Sequence, residues 1–261
     1  MDISFWLPLL VLFAGAVIGA IVRRHAKDEC LKIFHESFVF VRLKDGKWIW
    51  GKLIVYANGL ELLYSDPDPL GTEYRKLSYV IYDYNMETID RIVRPSPKPG
   101  TTAAEEWKRE IRALQYPNFG QRFARQVRNT FNMLRDAVAQ SIGMIFGAVK
   151  KRNAHLSQLS VDDNVTQVGK TLISIVPSAY EPVLEKYLGQ KVVVETPLPD
   201  KVIEQIGILQ EYNGKYVLVR DVVLMHEFPP GVNSAAVPPE RFDVVFPRPA
   251  HVIRHLASSV S

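Results

Sequence analysis

The chain has 261 residues, of which 47% are hydrophobic and 23% are charged. This composition excludes a wholly disordered polypeptide, because it supplies enough apolar surface for one large or two small folded domains. The net charge is +4, and the single cysteine, Cys30, excludes an intrachain disulfide and fits a reducing compartment.

The chain begins with an apolar, uncharged run of twenty residues at 3–22. At ~1.5 Å rise per residue, about twenty helical residues cross a hydrocarbon core of ~30 Å. Arg23, Arg24 and Lys27 flank this run, and basic flanks stay on the cytoplasmic side. We therefore expect residues 1–25 to form a single-pass anchor in a cell inner membrane, with the bulk of the chain cytoplasmic. No positive segment precedes the run, which argues against a cleaved signal peptide.

Residues 26–95 predict a first small β-barrel that follows a short helical stretch. Asn58-Gly59 is a hairpin signal between two strand-like runs. Five short antiparallel strands with no long helix between them are typical of a small barrel. We expect these strands at 37–43, 48–57, 60–65, 75–84 and 87–94. Trp48 and Trp50 alternate with Ile49, so both indoles should share one face.

Residues 96–176 predict a linker and a helical region. The prolines of PSPKPGTT cannot continue a strand or a helix. Either Thr101 or Thr102 could cap a helix over 103–115. A long amphipathic helix is then expected over 121–152, with apolar residues recurring every three or four positions.

The helix expected at 121–152 is strongly basic, because Asp136 is its single acidic residue. We interpret its basic face as a surface that binds the anionic inner leaflet or another anionic partner. The alternative is that the apolar stripe packs on a barrel or on a second helix while the charges are solvated, and nucleic acid is a third partner. The candidate binding residues are Arg122, Arg125, Arg128, Arg135, Lys150, Lys151 and Arg152.

Residues 177–257 predict a second small β-barrel that repeats the first. A helix is expected at 178–189, with Gly189 as its C-cap. Gly51 and Gly207 both fall inside the second strand of their repeat, where glycine allows a sharp bend. The expected strands are 190–196, 202–212, 215–224, 241–246 and 251–256.

The second repeat resembles the Sm-like fold, an SH3-like small barrel behind an N-terminal helix. The segments that carry the resemblance are EPVLEKYLGQKVVVE, IGILQEYNGKYVLVRDV and VVFPRPAHVIRHL. The first repeat is similar through LKIFHESFVFVRLKDG, GKLIVYANGLELLYSD and YVIYDYNMETIDRIV. The resemblance implies assembly edge to edge into rings. The loop residues of RNA-binding members are replaced here by Tyr212-Asn213-Gly214 and Pro247-Arg248-Pro249, which argues against RNA binding.

The sequence contains no recognisable catalytic or metal-binding motif. His251 and His255 are four residues apart, without neighbouring Cys, Asp or Glu, and surface histidines explain them better than a zinc site. Val168-Gly169-Lys170-Thr171 lacks the earlier glycine that a phosphate loop requires. We therefore assign no catalytic residue, metal or cofactor.

These observations together predict an α+β protein with an N-terminal transmembrane helix and two small antiparallel β-barrels separated by a helical segment. The predicted function is that of a non-enzymatic, membrane-anchored cytoplasmic scaffold that self-associates through the barrels as a homo-oligomer. The alternatives are a membrane-tethered nucleic-acid-binding protein and a regulatory subunit of a larger membrane complex. No small-molecule substrate is inferred.

Overall fold

A computed structural model describes the chain in seven stretches: residues 28–70, 73–117, 181–198, 200–224, 229–231, 240–248 and 250–258. The chain divides into two compact units, Met1–Arg94 and Pro95–Ser261. Each unit contains five of the ten strands.

The first unit begins with a single helical turn and continues as five antiparallel strands. Helix α1 is held by Asp28, whose carboxylate accepts the N–H groups of Cys30 and Leu31. The strands lie in the order β5-β1-β2-β3-β4, and a 3-10 helix joins β4 to β5. The bounds are α1 Glu29–Lys32, β1 Phe38–Leu43, β2 Trp48–Tyr56, β3 Gly59–Leu70, β4 Tyr74–Tyr82, the 3-10 helix Asp83–Thr88 and β5 Ile89–Pro95.

The core of the first unit follows from the alternation of its strands. Every second residue of β1 and β2 is buried, as expected for strands with one covered face. These residues meet the buried positions of β3 and β5 and the one buried position of β4, Ile81. The strand part of this core contains Val39, Val41, Leu43, Ile49, Leu53, Val55, Leu60, Leu62, Ile81, Ile89, Ile92 and Val93.

The second unit contains two helices and the other five strands. Its strand order is β10-β6-β7-β8-β9, with antiparallel neighbours. Thr101 caps α2 because its hydroxyl oxygen accepts the N–H of Ala104 at 3.2 Å. The bounds are α2 Thr102–Gln115, α3 Pro182–Tyr187, β6 Lys191–Pro197, β7 Val202–Tyr212, β8 Tyr216–Val222, β9 Phe242–Pro247 and β10 Val252–Leu256.

The two units share one strand order, in which the fifth strand pairs with the first and the fourth strand ends the row. Gly51 and Gly207 occupy their second strands. A Cβ at Gly51 would collide with the carbonyl oxygen of Leu63, and one at Gly207 would lie 2.6 Å from that of Arg220. Glycine is needed at both positions because the neighbouring main chain passes too close for a side chain.

The predicted pair of closed barrels is wrong. Within each unit the five strands form a single antiparallel row. Within the described residues no ladder joins β4 to β5 or β9 to β10, which closure of either unit would require. Strand periodicity and hairpin signals specify neighbours along the chain, but they do not determine whether the first and last edges meet.

The part of the chain that the structure describes also contains no membrane-spanning helix. The longest described helix, α2, has 14 residues, which is shorter than the ~20 that a hydrocarbon core requires. None of the described helices is long and apolar enough to cross a membrane. The predicted span at 3–22 and its flank of Arg23, Arg24 and Lys27 lie outside the described residues.

Candidate assembly surface

Strand β4 forms one end of the sheet, and β3 is its only neighbouring strand within the described residues. Tyr74 is 69% exposed and Leu77 is 66% exposed, although these residues point to opposite faces. Ile81 is the one fully buried residue of the strand. Most of β4 is therefore exposed on both faces as well as along its open edge.

The hydrogen bonds next to β4 show which of its main-chain groups face outward. The N–H of Asp83 donates to the carbonyl oxygen of Asn58 at 3.0 Å, one pair beyond the β3–β4 ladder. Because bonded and non-bonded pairs alternate in an antiparallel ladder, Ile81 and Tyr79 exchange hydrogen bonds with β3. The residues that turn their main-chain groups towards the open edge are Ser78, Val80 and Tyr82.

The side chains of β4 divide the strand into a charged part and an apolar part. Arg75 and Lys76 lie near its start, whereas residues 77–82 read LSYVIY, without charge, Gly or Pro. Six-residue segments of this composition are typical of strands that pair with another chain. In natural sheets, charge, proline or a bulge usually keeps such an edge from pairing with another chain. Residues 77–82 contain no charge and no proline, and the irregularity of the β3–β4 ladder lies before Ser78, between the pairs Asp68↔Lys76 and Leu63↔Ser78.

An aromatic cluster lies on the outward face of the first unit. Phe40 is opposite Trp50 in the β1–β2 ladder, and its ring centroid lies 5.3 Å from that of Phe38 and 6.5 Å from that of Trp48. The prediction that Trp48 and Trp50 share one face is confirmed, and this face is not the core, since Trp50 is 46% exposed. Further exposed apolar residues on this face are Tyr56, Leu63, Val80 and Tyr82.

A groove of about 580 Å³ lies beside β4 in the first unit. Its walls come from the β1–β2 turn, residues 79–81 of β4 and the 3-10 helix. Leu43 and Ile81 are buried, whereas Lys44, Asp45 and Glu87 place both signs of charge around the opening. A strand added to the edge of β4 would run along one wall of this groove.

In the second unit, the end strand β10 has features that disfavour pairing. It has five residues, and its pairing with β6 shifts register between Ile253 and His255. Arg254 and His255 are exposed, and both lie near Glu195, at 3.8 Å and 3.3 Å. Short length, irregular pairing and charge are the features by which natural sheets disfavour edge-to-edge association.

A buried charged cluster in the second unit attaches α2 to the sheet. Arg220 and Asp243 are both 1% exposed, and the guanidinium Nε lies 2.7 Å from the carboxylate. The indole N–H of Trp107 donates to both oxygens of Asp243, and Arg220 also contacts Glu110 at 3.1 Å and Gln210 at 2.7 Å. Trp107 and Glu110 both belong to α2, so the cluster sets the position of this helix.

Asp221 lies at the edge of the charged cluster. Its main chain is in the left-handed region, at φ 58°, and Arg241 lies 3.6 Å from its carboxylate. Burial raises the pKa of Asp221 above its ordinary value, and this effect exceeds the opposing attraction of Arg241. Ionised Asp221 is therefore less favourable in the folded protein than in the unfolded chain.

The two histidines noted in the sequence have different environments. His251 is buried, not at the surface as expected, and its Nδ1 lies 2.7 Å from the hydroxyl oxygen of Thr196. His255 is exposed beside Glu195. No group of three His, Cys, Asp or Glu side chains that could hold a metal is found in the described part of the chain.

The binding residues predicted from sequence all lie outside the described residues: Arg122, Arg125, Arg128, Arg135, Lys150, Lys151 and Arg152. The resemblance to the Sm-like fold predicts edge-to-edge assembly in general terms and does not single out β4. The available signal was the run at 77–82, in which apolar residues do not alternate with polar ones. A strand with this pattern is covered on both faces or exposed on both, and periodicity cannot distinguish the two cases.

No protein-family model, curated protein or solved structure matches this chain. The resemblance to the Sm-like fold therefore stays a prediction.

Proposed function

We propose that this protein is a non-enzymatic assembly protein whose copies associate through the open edge of β4. The observation that carries the proposal is that β4 ends the sheet with Ser78, Val80 and Tyr82 turned outward and with apolar side chains exposed on both faces. Strand addition at such an edge gains affinity from main-chain hydrogen bonds and specificity from the alternate side chains.

The surroundings of β4 support the same function. The outward aromatic face and the groove both border this strand, so an added strand would cover apolar surface next to the edge as well as the edge itself. Tyr82 and Tyr84 are already stacked, with ring centroids 5.4 Å apart, and they present a flat aromatic surface at the end of β4. The buried charges of the second unit, in contrast, are engaged in holding α2.

The test compares Val80→Lys with Val202→Lys in the full-length chain. Both valines are exposed, at 45% and 55%, but Val202 lies in β7, which has strands on both sides. A lysine at Val80 disfavours pairing at the edge of β4. The dissociation constant of the Val80→Lys oligomer should therefore rise at least about tenfold, or ~1.4 kcal/mol. Val202→Lys should match the wild type. Light scattering in one mild detergent, chosen because residues 3–22 are apolar, measures the mass.

Two results would contradict this function. One is a wild-type chain that stays monomeric at tens of micromolar, roughly where weak interfaces become measurable. The other is Val80→Lys associating as strongly as Val202→Lys while circular dichroism shows both variants folded.

Salt distinguishes strand pairing from assembly on nucleic acid. Edge pairing through residues 77–82 is apolar and hydrogen-bonded, so the oligomer should persist when salt is raised. Copies held together by a nucleic acid should separate steeply with salt and after nuclease treatment.

A further inference from the structure

We infer that the partner of β4 is β4 of a second copy, paired antiparallel about a two-fold axis at Ser78. This inference rests on the proposed function, because it names the partner and the register of the same edge. It follows from the length of β4, from the order of its side chains and from the direction of its main-chain groups.

The length of β4 determines the register. β4 has nine residues, so two copies that overlap completely in antiparallel orientation meet with Ser78 opposite Ser78. Tyr74 then lies opposite Tyr82 of the second copy, and Leu77 lies opposite Tyr79. Each of these contacts occurs twice, because a two-fold interface is isologous.

The side chains are complementary in this register. Aromatic residues face aromatic or aliphatic ones across the strand pair, which is a favourable cross-strand combination. Lys76 lies opposite Val80 of the second copy, and Arg75 lies opposite Ile81. No cation lies directly opposite another cation, although each strand carries two, and the small Ser78 occupies the crowded axis.

The main-chain groups also match. Ser78 turns its N–H and C=O towards the open edge, so the two Ser78 residues can form a bonded pair on the axis. Val80 and Tyr82 also turn outward. The residues opposite them in the second copy, at positions 76 and 74, lie an even number of positions from Ser78 and therefore belong to the same set of alternate residues. Over residues 78–82 the added ladder continues the alternation already present between β3 and β4, whose register shifts between Ser78 and Lys76.

β10 is a poorer partner for β4. Its five residues would leave almost half of β4 uncovered, and its register is irregular. Arg254 and His255 would bring further positive charge towards a strand that already carries Arg75 and Lys76. A second β4 also carries two cations, but it covers all nine residues of the strand and places each cation opposite an uncharged residue.

A charge swap tests the register. Val80→Lys places lysine opposite Lys76 of the other copy, twice per dimer, and should raise the dissociation constant at least about tenfold. The double variant Lys76→Glu/Val80→Lys turns both contacts between positions 76 and 80 into opposite-charge pairs. It should restore the dissociation constant to within about threefold of the wild type. Positions 76 and 80 are ~13 Å apart within one strand, so direct contact in one chain does not explain a rescue.

A disulfide tests the axis. Bonded antiparallel pairs have Cα atoms ~5.5 Å apart, which suits a disulfide. Ser78→Cys should therefore form a covalent dimer under mild oxidation, whereas Ser65→Cys, an exposed serine on β3, should not. Cys30 is buried and present in both variants, so it serves as an internal control.

The outcomes separate the inference from the function on which it rests. If Val80→Lys dissociates the oligomer but the double variant is not rescued and Ser78→Cys does not cross-link, β4 is an assembly edge with another partner, and the two-fold register is wrong. Cross-linking only in Ser78→Cys/Arg254→Cys would identify β10 as that partner. A monomeric wild type would overturn the function itself.

Discussion

The two units have the same strand order but bury different chemistry. In the first unit, Arg91 is the one charged residue among the described buried residues, and its guanidinium lies 6.0 Å from the Trp48 ring. In the second unit the buried residues include an ion pair, Arg220 with Asp243, together with the polar side chains of Thr196, Gln205 and His251.

This difference shows what the charges add to a common topology. In the first unit the buried strand residues are mainly valine, leucine and isoleucine, and buried Arg91 pairs with Asp90 at 3.4 Å on the same strand. The ion pair of the second unit also has to position a helix, since Trp107 and Glu110 of α2 reach Asp243 and Arg220. A hydrogen-bonded charge pair determines the helix position more closely than apolar contact alone, because its geometry is directional.

The largest expected effect comes from removing the buried cation. Arg220→Met leaves Asp243 charged and buried without its ion pair, which should cost about 3–5 kcal/mol of stability. The matched variant in the first unit is Arg42→Met, which breaks the less deeply buried pair with Asp90 at 2.9 Å. It should cost less, because Asp90 keeps Arg91 at 3.4 Å as a second cation. Hydrogen exchange of peptides from each unit measures the two effects separately.

Equal losses for these two arginines would contradict the comparison between the units. So would faster exchange in β7 and β8 without faster exchange in α2, because the cluster would then not be holding the helix. Arg220→Lys is a useful control, since lysine keeps the charge but lacks the fork that reaches Asp243, Glu110 and Gln210 together.

Substituting the glycine in the second strand of each unit should give a smaller difference in stability between the units than substituting the arginines. A Cβ at Gly51 meets only main-chain atoms of β3, whereas two of the nearest atoms at Gly207 are side-chain methyls of Val219 and Val222. Main chain yields less readily than side chains, so Gly51→Ala should cost more than Gly207→Ala, both within about 1–3 kcal/mol. Exchange rates in β2 and β7 provide the readout, and the reverse order would contradict this account.

Local elements could be predicted from sequence because their causes are local. The cap at Thr101, the helix at 103–115 and the ten strands follow from hydrogen-bonding side chains and apolar periodicity over a few residues. The structure confirms the helix and the strands and selects Thr101 over Thr102 as the cap, but β3 extends to Leu70, five residues past its predicted end. Asn213 is a clear case, because its side chain accepts the N–H groups of Lys215 and Tyr216 and so closes its own hairpin.

Features that depend on distant residues could not be predicted. Trp107 and Asp243 are 136 positions apart, and neither residue carries a local signal of their hydrogen bond. The open sheet was mistaken for two barrels for the same reason, since closure depends on whether distant edges meet. The edge of β4 was not singled out because residues 77–82 suit a buried strand as well as an exposed one.

The smallest predicted effect concerns Asp221 and depends on pH. Its pKa is raised in the folded protein, mainly by burial, so the folded state holds this proton more tightly than the unfolded chain does. The penalty for ionising it is absent below the ordinary value of 3.8 and grows as pH rises through the raised value. Asp221→Asn removes this penalty and suits the left-handed main chain, because asparagine tolerates positive φ.

Asp221→Asn should therefore melt at a higher temperature than the wild type at pH 7, and the difference should shrink to nothing as pH falls below 3.8. Arg241→Met should lower the melting temperature at pH 7 by removing the opposing attraction, and adding Asp221→Asn to it should recover the loss. Melting curves of the four proteins across this pH range provide the measurement. If Asp221→Asn is instead less stable at pH 7 and equal at low pH, attraction to Arg241 outweighs burial, and the second unit gains stability from this charge as it does from Asp243.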